Sequence, residues 1–414
     1  MTHSTAPKYG PTLIGALGLL STVAPLATDM YLPGFPLVSG DLQTSQASVQ
    51  LTLSLFMLGM GGGQLFWGPA SDMLGRRRPL LVAGLLFVVS SLFATMSPSI
   101  VWLCIWRFLQ GFSGCAGVVI GRAIARDVSR GVQLARLFGF IGIVNGLAPV
   151  LAPVAGGLLI PHIGWRGVLW VLTGVAVLML FASAFVLGES LPATGRVSGG
   201  VRELGSTLRT VARDRSFIGF TLMQVFAFGV LFTWISSSSV VLQLVYGLDE
   251  RQFSFCMAVF AVGTLLAGVL NTRLVRRVGM WRMLTTAVVF EAICAIALFV
   301  VVASPVAMKD AAAASSAPAL WTLLVLVSLA GAPFPVIIAN STALGLGRQR
   351  RGAGIASALM GASQYALAAA VTPMVTITGR VSLDTVVTVM LVCALVSGAS
   401  ALLCTKESRA LPHD

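Results

Sequence analysis

The sequence predicts an all-α membrane protein with twelve transmembrane helices in two six-helix halves. Of its 414 residues, 57% are hydrophobic and only 10% are charged. A soluble domain of this size could not bury so much apolar surface. The apolar residues form runs of about 20, the length that a helix needs to cross the hydrocarbon core of a bilayer. Charged residues lie mainly in the short turns between these runs.

Twelve apolar runs are present, and each is predicted to be a helix because only a helix satisfies its own backbone polar groups in lipid. The short alternating segments that are typical of a membrane β-barrel are absent from the sequence. The predicted spans are roughly residues 12–33, 47–70, 79–97, 100–121, 136–160, 167–188, 216–243, 252–273, 283–304, 319–346, 353–378 and 383–404.

The basic residues predict the orientation of the spans. If both termini are cytoplasmic, 22 of the 27 lysines and arginines lie on the inner side, four lie on the outer side, and Arg107 alone lies within a span. The net charge of +13 is therefore placed in turns rather than on one helix face. This placement argues against nucleic acid as a partner and indicates topology-setting charge.

The longest inner connection divides the chain. It predicts an N-terminal half over residues 1–190, a cytoplasmic linker over 191–215 and a C-terminal half over 216–414. A degenerate internal repeat is consistent with duplication, since the segment that begins at Gly268 aligns with the segment that begins at Gly68. In this alignment Thr272 stands at the position of Asp72, and Val275 at the position of Gly75.

The turn between the second and third spans is the most informative segment. Its glycines let two helices approach closely, and Asp72 can accept hydrogen bonds from arginines or from the N–H groups of a helix N-terminus. Asp127 is a candidate partner for the arginines. The pattern G-x-x-x-D-x-x-G-R-R resembles the loop between helices 2 and 3 of major facilitator superfamily transporters. The resemblance implies a latch between the two halves on the cytoplasmic side, formed by Gly68, Asp72, Gly75, Arg76 and Arg77. The alternative is a turn that only sets topology.

A second signal lies in the fourth span, where Arg107 is followed by Gln110 and Gly111. A charge within a span costs about 2.5–3.5 kcal/mol on insertion scales, although Arg107 is close enough to the outer end to snorkel. The Arg-x-x-Gln-Gly pattern resembles a motif implicated in proton coupling in the same superfamily. Asp29, at a similar depth in the first span, is the predicted partner of Arg107; the alternative is a carboxylate at the membrane interface.

Further segments of the first, second and fifth spans narrow the resemblance from the superfamily to one of its branches. Asp29-Met30-Tyr31-Leu32-Pro33 and Val49-Gln50-Leu51-Thr52 resemble the bicyclomycin/chloramphenicol-resistance branch of drug:proton antiporters. The fifth span resembles the antiporter motif G-P-x-x-G-G of exporters, with Ala152 in place of its first glycine. The residues that match or flank this motif are Pro149, Pro153, Gly156 and Gly157. Prolines bend a helix, and small residues let a neighbour pack tightly against it.

Glu291 is the other acid well inside a span, and no basic residue is obviously matched to it. It is either a second site of proton exchange or a neutral acid that shares a hydrogen bond. An apolar and aromatic substrate cavity with a few amides is expected, which suits lipophilic drugs. Its candidate residues are Tyr31, Gln50, Phe56, Asn145, Gln224, Phe228, Trp234, Asn340, Gln364 and Tyr365.

No ATP-binding loop, nucleophile–base pair or metal-ligand cluster is present in the sequence, so we expect neither an enzyme nor a cofactor other than the coupling proton. The resulting hypothesis is a monomeric, proton-coupled drug efflux antiporter of a bacterial inner membrane, which carries lipophilic small molecules. One alternative is an exporter of an endogenous amino acid or sugar on the same fold. Another is a membrane receptor that transports nothing.

Overall fold

The computed structural model describes residues 10–196, 211, 213–304, 317–347, 349, 353–376 and 382–405, and no β-strand occurs among these residues. The membrane-spanning helices are numbered α1 to α12 in chain order. They are α1 (Pro11–Ser21 and Val23–Asp29), α2 (Gln46–Leu74), α3 (Arg77–Thr95), α4 (Ile100–Val128), α5 and α6 (together Gly131–Phe185), α7 (Arg215–Ser239), α8 (Glu250–Val278), α9 (Met280–Ala303), α10 (Ala317–Gly331 and Phe334–Gly347), α11 (Ala353–Thr376) and α12 (Leu383–Ser400).

The twelve predicted spans agree with these helices. Within the described ranges, ten helices are long and apolar enough to cross a membrane, and the bent α1 makes eleven. One of the ten, Arg136–Phe185, has 50 residues. At 1.5 Å per residue it would measure about 75 Å, far more than the roughly 30 Å hydrocarbon core. Gly164, with a φ angle of 67°, interrupts it and separates α5 (131–163) from α6 (165–185).

Shorter elements join these helices. After α1 the chain forms the 3₁₀ turn Leu32–Gly34 and the helix Phe35–Asp41, and α7 continues as the π-helix Val240–Val245. Asp41 forms an ion pair with Arg166 and accepts a hydrogen bond from the indole N–H of Trp165 at 3.2 Å. These contacts fix the turn at Gly164 against the short helix that precedes α2.

Glycines set how closely the helices pack. A methyl group at Gly59 of α2 would overlap the backbone of Phe108, and one at Gly111 of α4 would overlap the backbone of Phe56. The two helices therefore approach each other through both glycines, in the small-residue packing that is typical of membrane helices. Helix α2 also packs along α11, and α5 packs along α8. These two pairs join the predicted halves. The division at residues 191–215 stays a prediction, because residues 197–210 and 212 lie outside the described part of the chain.

The internal repeat is offset from the alignment that the sequence suggests. Gly75 follows α2 with φ 90° and ψ 164°, and Gly279 follows α8 with φ 87° and ψ 149°. Only glycine adopts such positive φ angles without strain. The structural counterpart of Gly75 is therefore Gly279 rather than Val275. The alignment was wrong by about one helical turn, because it matched arginines instead of the glycine that the turn requires.

Candidate functional site

Arg107 is fully buried in α4, and the end of α1 provides its main anchor. Tyr31 donates its backbone N–H to Thr28 in a tight turn, which leaves the carbonyl of Ala27 without its usual partner four residues on. Nη2 of Arg107 donates to this carbonyl at 2.8 Å. A cation is favourable there because the carbonyl groups at a helix C-terminus carry partial negative charge.

Two further helices hold the same guanidinium in place. Nη1 of Arg107 donates to the side-chain oxygen of Gln110 at 2.7 Å, and the amide nitrogen of Gln110 donates to the hydroxyl of Ser91 at 2.8 Å. The rings of Phe56 and Tyr31 lie 4.7 Å and 5.1 Å from the guanidinium carbon. These contacts connect α1, α2, α3 and α4 through one charge. Within the described ranges, Nε of Arg107 has no hydrogen-bond partner.

Asp29 is the last residue of α1 and is also buried. Its carboxylate accepts a hydrogen bond from the hydroxyl of Thr28 at 2.9 Å. The ion pairs within 4.0 Å among the described residues do not include Asp29 with Arg107. The predicted direct pair is therefore wrong for this structure. Arg107 instead binds the backbone of Ala27, because the end of a helix offers a carbonyl acceptor there.

The turn between α2 and α3 is built around Arg76. Its guanidinium forms an ion pair with Asp72 and a second one with Asp127 of α4 at 2.9 Å, and it donates to the hydroxyl of Ser71 at 2.9 Å. Burial alone would lower the pKa of Arg76, but the hydrogen bonds and negative charges of the two aspartates outweigh it and raise this pKa above its ordinary value. The contact between Arg76 and Asp127 that the sequence suggests is present.

Glu189, which follows α6, is a member of this cluster that the sequence analysis missed. Its carboxylate accepts hydrogen bonds from the backbone N–H groups of Arg76 at 2.8 Å and Arg77 at 3.3 Å. It therefore caps the N-terminus of α3. Burial raises the pKa of Glu189, but the backbone hydrogen bonds and the charge of Arg196 lower it by more. The pKa of Glu189 therefore lies below its usual range. No local motif indicated this contact, since Glu189 is 113 residues from Arg76 in sequence.

Among the described residues, the hydrogen bonds and ion pairs of the turn involve only the N-terminal half and the start of the linker. Gly68 packs near Val119 of α4, and Gly75 packs against Glu189 and Arg196. Arg77 donates to the backbone carbonyl of Ala184 at the end of α6, at 3.0 Å. The predicted latch to the C-terminal half thus stays a prediction. The side chain of Asp72 is 47% exposed, which leaves it accessible to a partner.

The motif in α5 contacts both predicted halves through two adjacent glycines. A methyl group at Gly156 would overlap the backbone of Met30 in the N-terminal half. One at Gly157 would lie 2.7 Å from Cβ of Ser254 in α8. Pro149 and Pro153 lie within the same helix, about two turns and one turn before this pair, respectively. The small residues therefore place α5 directly between the end of α1 and α8.

Most of the predicted cavity residues are packed inside the protein rather than lining open space. Tyr31, Gln50, Phe56, Gln224, Phe228, Trp234, Asn340 and Gln364 are buried, whereas Asn145 and Tyr365 are half-buried. Some have partners within the C-terminal half. Gln224 accepts a hydrogen bond from Thr342 at 2.9 Å, and Asn340 donates to Asn271 at 2.8 Å. A cavity of about 600 Å³ between α2 and α4 contains none of the predicted residues. It is lined by Ser48, Leu51, Leu55, Ile100, Val101, Cys104, Ile105, Phe108 and Leu109.

Two of the aromatic candidates, Phe228 and Tyr365, form a cluster with Phe334 between α7, α10 and α11. The ring of Phe228 lies 5.3 Å from that of Phe334 and 6.0 Å from that of Tyr365. Glu291 is fully buried in α9, and neither of its carboxylate oxygens has a hydrogen-bond partner within 3.5 Å in the described part of the chain. No cation within the described residues pairs with it. The structure therefore does not bring Glu291 together with Asp29 and Arg107.

Ionisable side chains buried within apolar membrane helices, here Asp29 and Arg107, mark substrate or ion pathways in membrane proteins. The family model of the Major Facilitator Superfamily matches residues 17–373. The chain belongs to this superfamily, whose members are transporters and not enzymes.

The chain is also similar to curated proteins that are named as transporters or drug-resistance proteins. The chain is 32% identical over 419 residues to an uncharacterized MFS-type transporter, YdgK, of Bacillus subtilis, and the match covers 98% of each chain. It is 31% identical over 353 residues to the bicyclomycin resistance protein homolog of Haemophilus influenzae, which covers 85% of this chain and 86% of the relative. It is 30% identical over 239 residues to the multidrug resistance protein MdtL of Escherichia coli, which covers 57% and 60%.

Solved structures agree on the fold. The crystal structure of a D-xylose-proton symporter matches with a TM-score of 0.72 at 15% identity, over 94% of this chain and 97% of that one. A bacterial homolog of the human lysosomal transporter Spinster, in an inward-facing and unoccupied conformation, matches with a TM-score of 0.70 at 14% identity. The latter match covers 98% and 100% of the two chains.

Proposed function

We propose that this protein is a proton-coupled antiporter that exports lipophilic drugs across a bacterial inner membrane, with both termini in the cytoplasm. The observation that carries the proposal is the anchoring of Arg107 on the last turn of α1, two residues from the buried Asp29. The relatives named for bicyclomycin and multidrug resistance support drugs as the substrate class.

In the proposed mechanism, Asp29 binds and releases the coupling proton, and Arg107 positions the end of α1 that carries it. Gly156 of α5 contacts the backbone of Met30, next to Asp29, and Gly157 contacts α8. Binding or release of a proton at Asp29 would therefore affect the contact between α5 and α8, which joins the two predicted halves. Movement of one half against the other would then expose the substrate alternately to each side.

The driving force suffices for export. One proton that crosses 100 mV supplies about 2.3 kcal/mol, and one unit of pH difference adds about 1.4 kcal/mol. Since each tenfold of concentration costs about 1.4 kcal/mol, one proton could sustain a gradient of a few hundredfold for a neutral drug. The sequence contains no ATP-binding loop as a competing energy source.

The turn at Gly68 is proposed to act as the cytoplasmic latch. Arg76 holds Asp72 and Asp127 together in the N-terminal half, and the half-exposed carboxylate of Asp72 is available to the C-terminal half. Formation and loss of that contact would favour different conformations of the transporter.

Proton release tests the coupling. Chloramphenicol added to detergent-solubilised wild-type protein should release protons into weakly buffered solution, and Asp29→Asn should abolish the release. Asp384→Asn, at an exposed position in the first turn of α12, is the control and should behave as wild type. Undiminished proton release from Asp29→Asn would assign proton exchange to Glu291 instead. In that case Glu291→Gln should release no protons when chloramphenicol is added.

A further inference from the structure

A row of residues on α2, three of them buried and polar, faces α11, and several of its polar atoms have no hydrogen-bond partner among the described residues. Gln50, Ser54, Met57, Gly61 and Gln64 recur at intervals of three or four residues, so they share one face of α2. A methyl group at Gly61 would lie 3.2 Å from the carbonyl oxygen of Ala362 and 3.4 Å from Cβ of Tyr365. The row therefore points at α11.

Thr372 occupies the matching face of α11. Gly361, Tyr365, Ala368 and Thr372 recur at the same helical spacing. Gln64 packs on Gly361 and Gly61 packs on Ala362 and Tyr365, so the helices are antiparallel. Seven residues before Gly61 is Ser54, and seven residues after Tyr365 is Thr372. At 1.5 Å per residue both lie about 10 Å from that contact, at the same level.

The polar atoms at this level are orphaned. Both amide atoms of Gln50, the hydroxyl of Ser54 and the hydroxyl of Thr372 lack a hydrogen-bond partner among the residues that the structure describes. The exposed fractions of the three residues are 0%, 4% and 0%. Burial of such groups without partners is unfavourable and rare in folded proteins. Four such groups, on three residues of facing helices where α2 meets α11, therefore indicate a position that a ligand satisfies in part of the transport cycle.

The chemistry of the two faces defines the ligand. No charged residue occurs in residues 46–71 of α2 or in residues 353–376 of α11, so a charged group placed between them would have no counter-charge. Amide and hydroxyl groups can both donate and accept. Pro373 adds to the acceptors, because it has no N–H to donate to the carbonyl of Ala369 one turn earlier.

We propose that Gln50, Ser54 and Thr372 form a hydrogen-bonding subsite that binds an uncharged amide or hydroxyl group of the transported molecule. The proposal rests on the proposed drug-export function and narrows its substrate class. The favoured substrates are neutral molecules with hydroxyl and amide groups on an apolar frame. Lipophilic cations without such groups gain nothing at this subsite.

Three apolar substitutions test the subsite: Gln50→Leu, Ser54→Ala and Thr372→Val. Efflux of chloramphenicol, which is neutral and carries hydroxyl and amide groups, is compared with efflux of tetraphenylphosphonium in a pump-deficient host. Wild-type protein should export chloramphenicol at least fivefold faster than tetraphenylphosphonium. Each variant should lose at least fivefold of its chloramphenicol efflux.

Thermal stability of the purified protein distinguishes the subsite from a packing role. Thr372→Val keeps the shape of the side chain and removes an orphaned hydroxyl, so its Tm should equal or exceed that of wild type while efflux falls. Thr233→Val is the control, because the hydroxyl of Thr233 is equally buried but donates to the carbonyl of Gly229 at 2.6 Å. It should lower the Tm slightly and leave efflux unchanged.

The outcomes separate the two proposals. Wild-type chloramphenicol efflux in all three variants, or faster export of tetraphenylphosphonium than of chloramphenicol by wild type, overturns the subsite and leaves the export function standing. A fall in Tm that matches the fall in efflux also overturns it, because packing would then explain both. A wild-type protein that exports neither probe contradicts the export function, and the subsite with it.

Discussion

The carboxylate of Glu189, after α6, accepts a hydrogen bond from the backbone N–H of Arg76 at 2.8 Å, at the start of α3. This contact joins the end of the N-terminal half to the turn that carries Asp72. Glu189 also accepts from the backbone N–H of Leu191 at 3.0 Å and lies 3.9 Å from the guanidinium of Arg196. The residues that begin the linker are therefore tied to the same turn.

Replacement of Glu189 by Gln should lower the thermal stability of the purified protein at neutral pH. The substitution removes a negative charge from the N-terminus of α3, where such a charge contributes at most about 1 kcal/mol at a partly exposed position. Differential scanning calorimetry of wild type and Glu189→Gln at pH 7 measures the decrease in Tm. Glu250→Gln is the control, since Glu250 begins α8 but its carboxylate makes no hydrogen bond within the described residues; its effect should be smaller.

The effect of Glu189→Gln should also depend on pH. The pKa of Glu189 in the folded protein lies below its ordinary value of 4.5. Its stabilising contribution is therefore complete above pH 4.5 and is lost as the pH falls through the folded-state pKa. The difference in Tm between wild type and variant should disappear on acidification below this value. A difference that persists undiminished in acid would mean that the charge of Glu189 is not what stabilises the turn.

Asp72→Asn should leave membrane insertion near normal and severely reduce transport, because the substitution shifts the balance of conformations rather than the fold. Asp127→Asn should also impair transport, since Arg76 binds both carboxylates. The double variant should lose less than the sum of the two single losses, as expected for residues in one network. Transport at the wild-type rate by Asp72→Asn would leave the turn with a topological role only.

Gly111→Ala should reduce the yield of folded protein and its Tm. The added methyl group would overlap the backbone of Phe56 in α2, and separation of two packed helices typically costs about 1–3 kcal/mol. Gly142→Ala in α5 is the matched control, because a methyl group there meets no atom of the described residues within 4 Å. It should be neutral or slightly stabilising. Equal yields of the two variants would show that α2 and α4 do not require the close approach.

Reporter fusions should test the predicted orientation. A fusion at Arg209, in the linker, should give a cytoplasmic signal, and a fusion at Asp249, before α8, should give a periplasmic signal. The expectation follows from the placement of 22 of the 27 basic residues on one side. A reversed pattern would contradict the twelve-span topology with cytoplasmic termini.

Much of the fold could be predicted from local sequence. A membrane span is a local property, since about 20 apolar residues suffice to cross the bilayer and must then be helical. The boundary between α5 and α6 was also predictable, because Gly164 and its neighbours interrupt the apolar pattern. The positions of individual helix ends were less predictable from the sequence. Helix α4 continues to Val128, beyond the predicted span end at residue 121, because a helix need not stop where the lipid does.

The candidate site was predictable where one motif contains the interacting residues. The contact of Asp72 with Arg76 follows from one short charged turn, whereas Asp127, 51 residues from Arg76, was a candidate partner from outside that turn. The hydrogen-bond partner of Arg107 could not be predicted from the sequence. Matching depth suggested the carboxylate of Asp29, whereas the guanidinium binds the carbonyl of Ala27. Side-chain sequence alone does not reveal that a turn at Tyr31 leaves this backbone acceptor free.

The sequence by itself determined the membrane environment, the number of spans, the charged turn and the buried charges, because hydropathy and turn chemistry act within short segments. Only the tertiary structure decided which distant groups meet: Glu189 with the start of α3, Gly156 and Gly157 with opposite halves, and Gly61 with Ala362 and Tyr365. These contacts depend on helix packing, which small residues permit at many positions. The particular pairing is set by the whole bundle and is not encoded in any one segment.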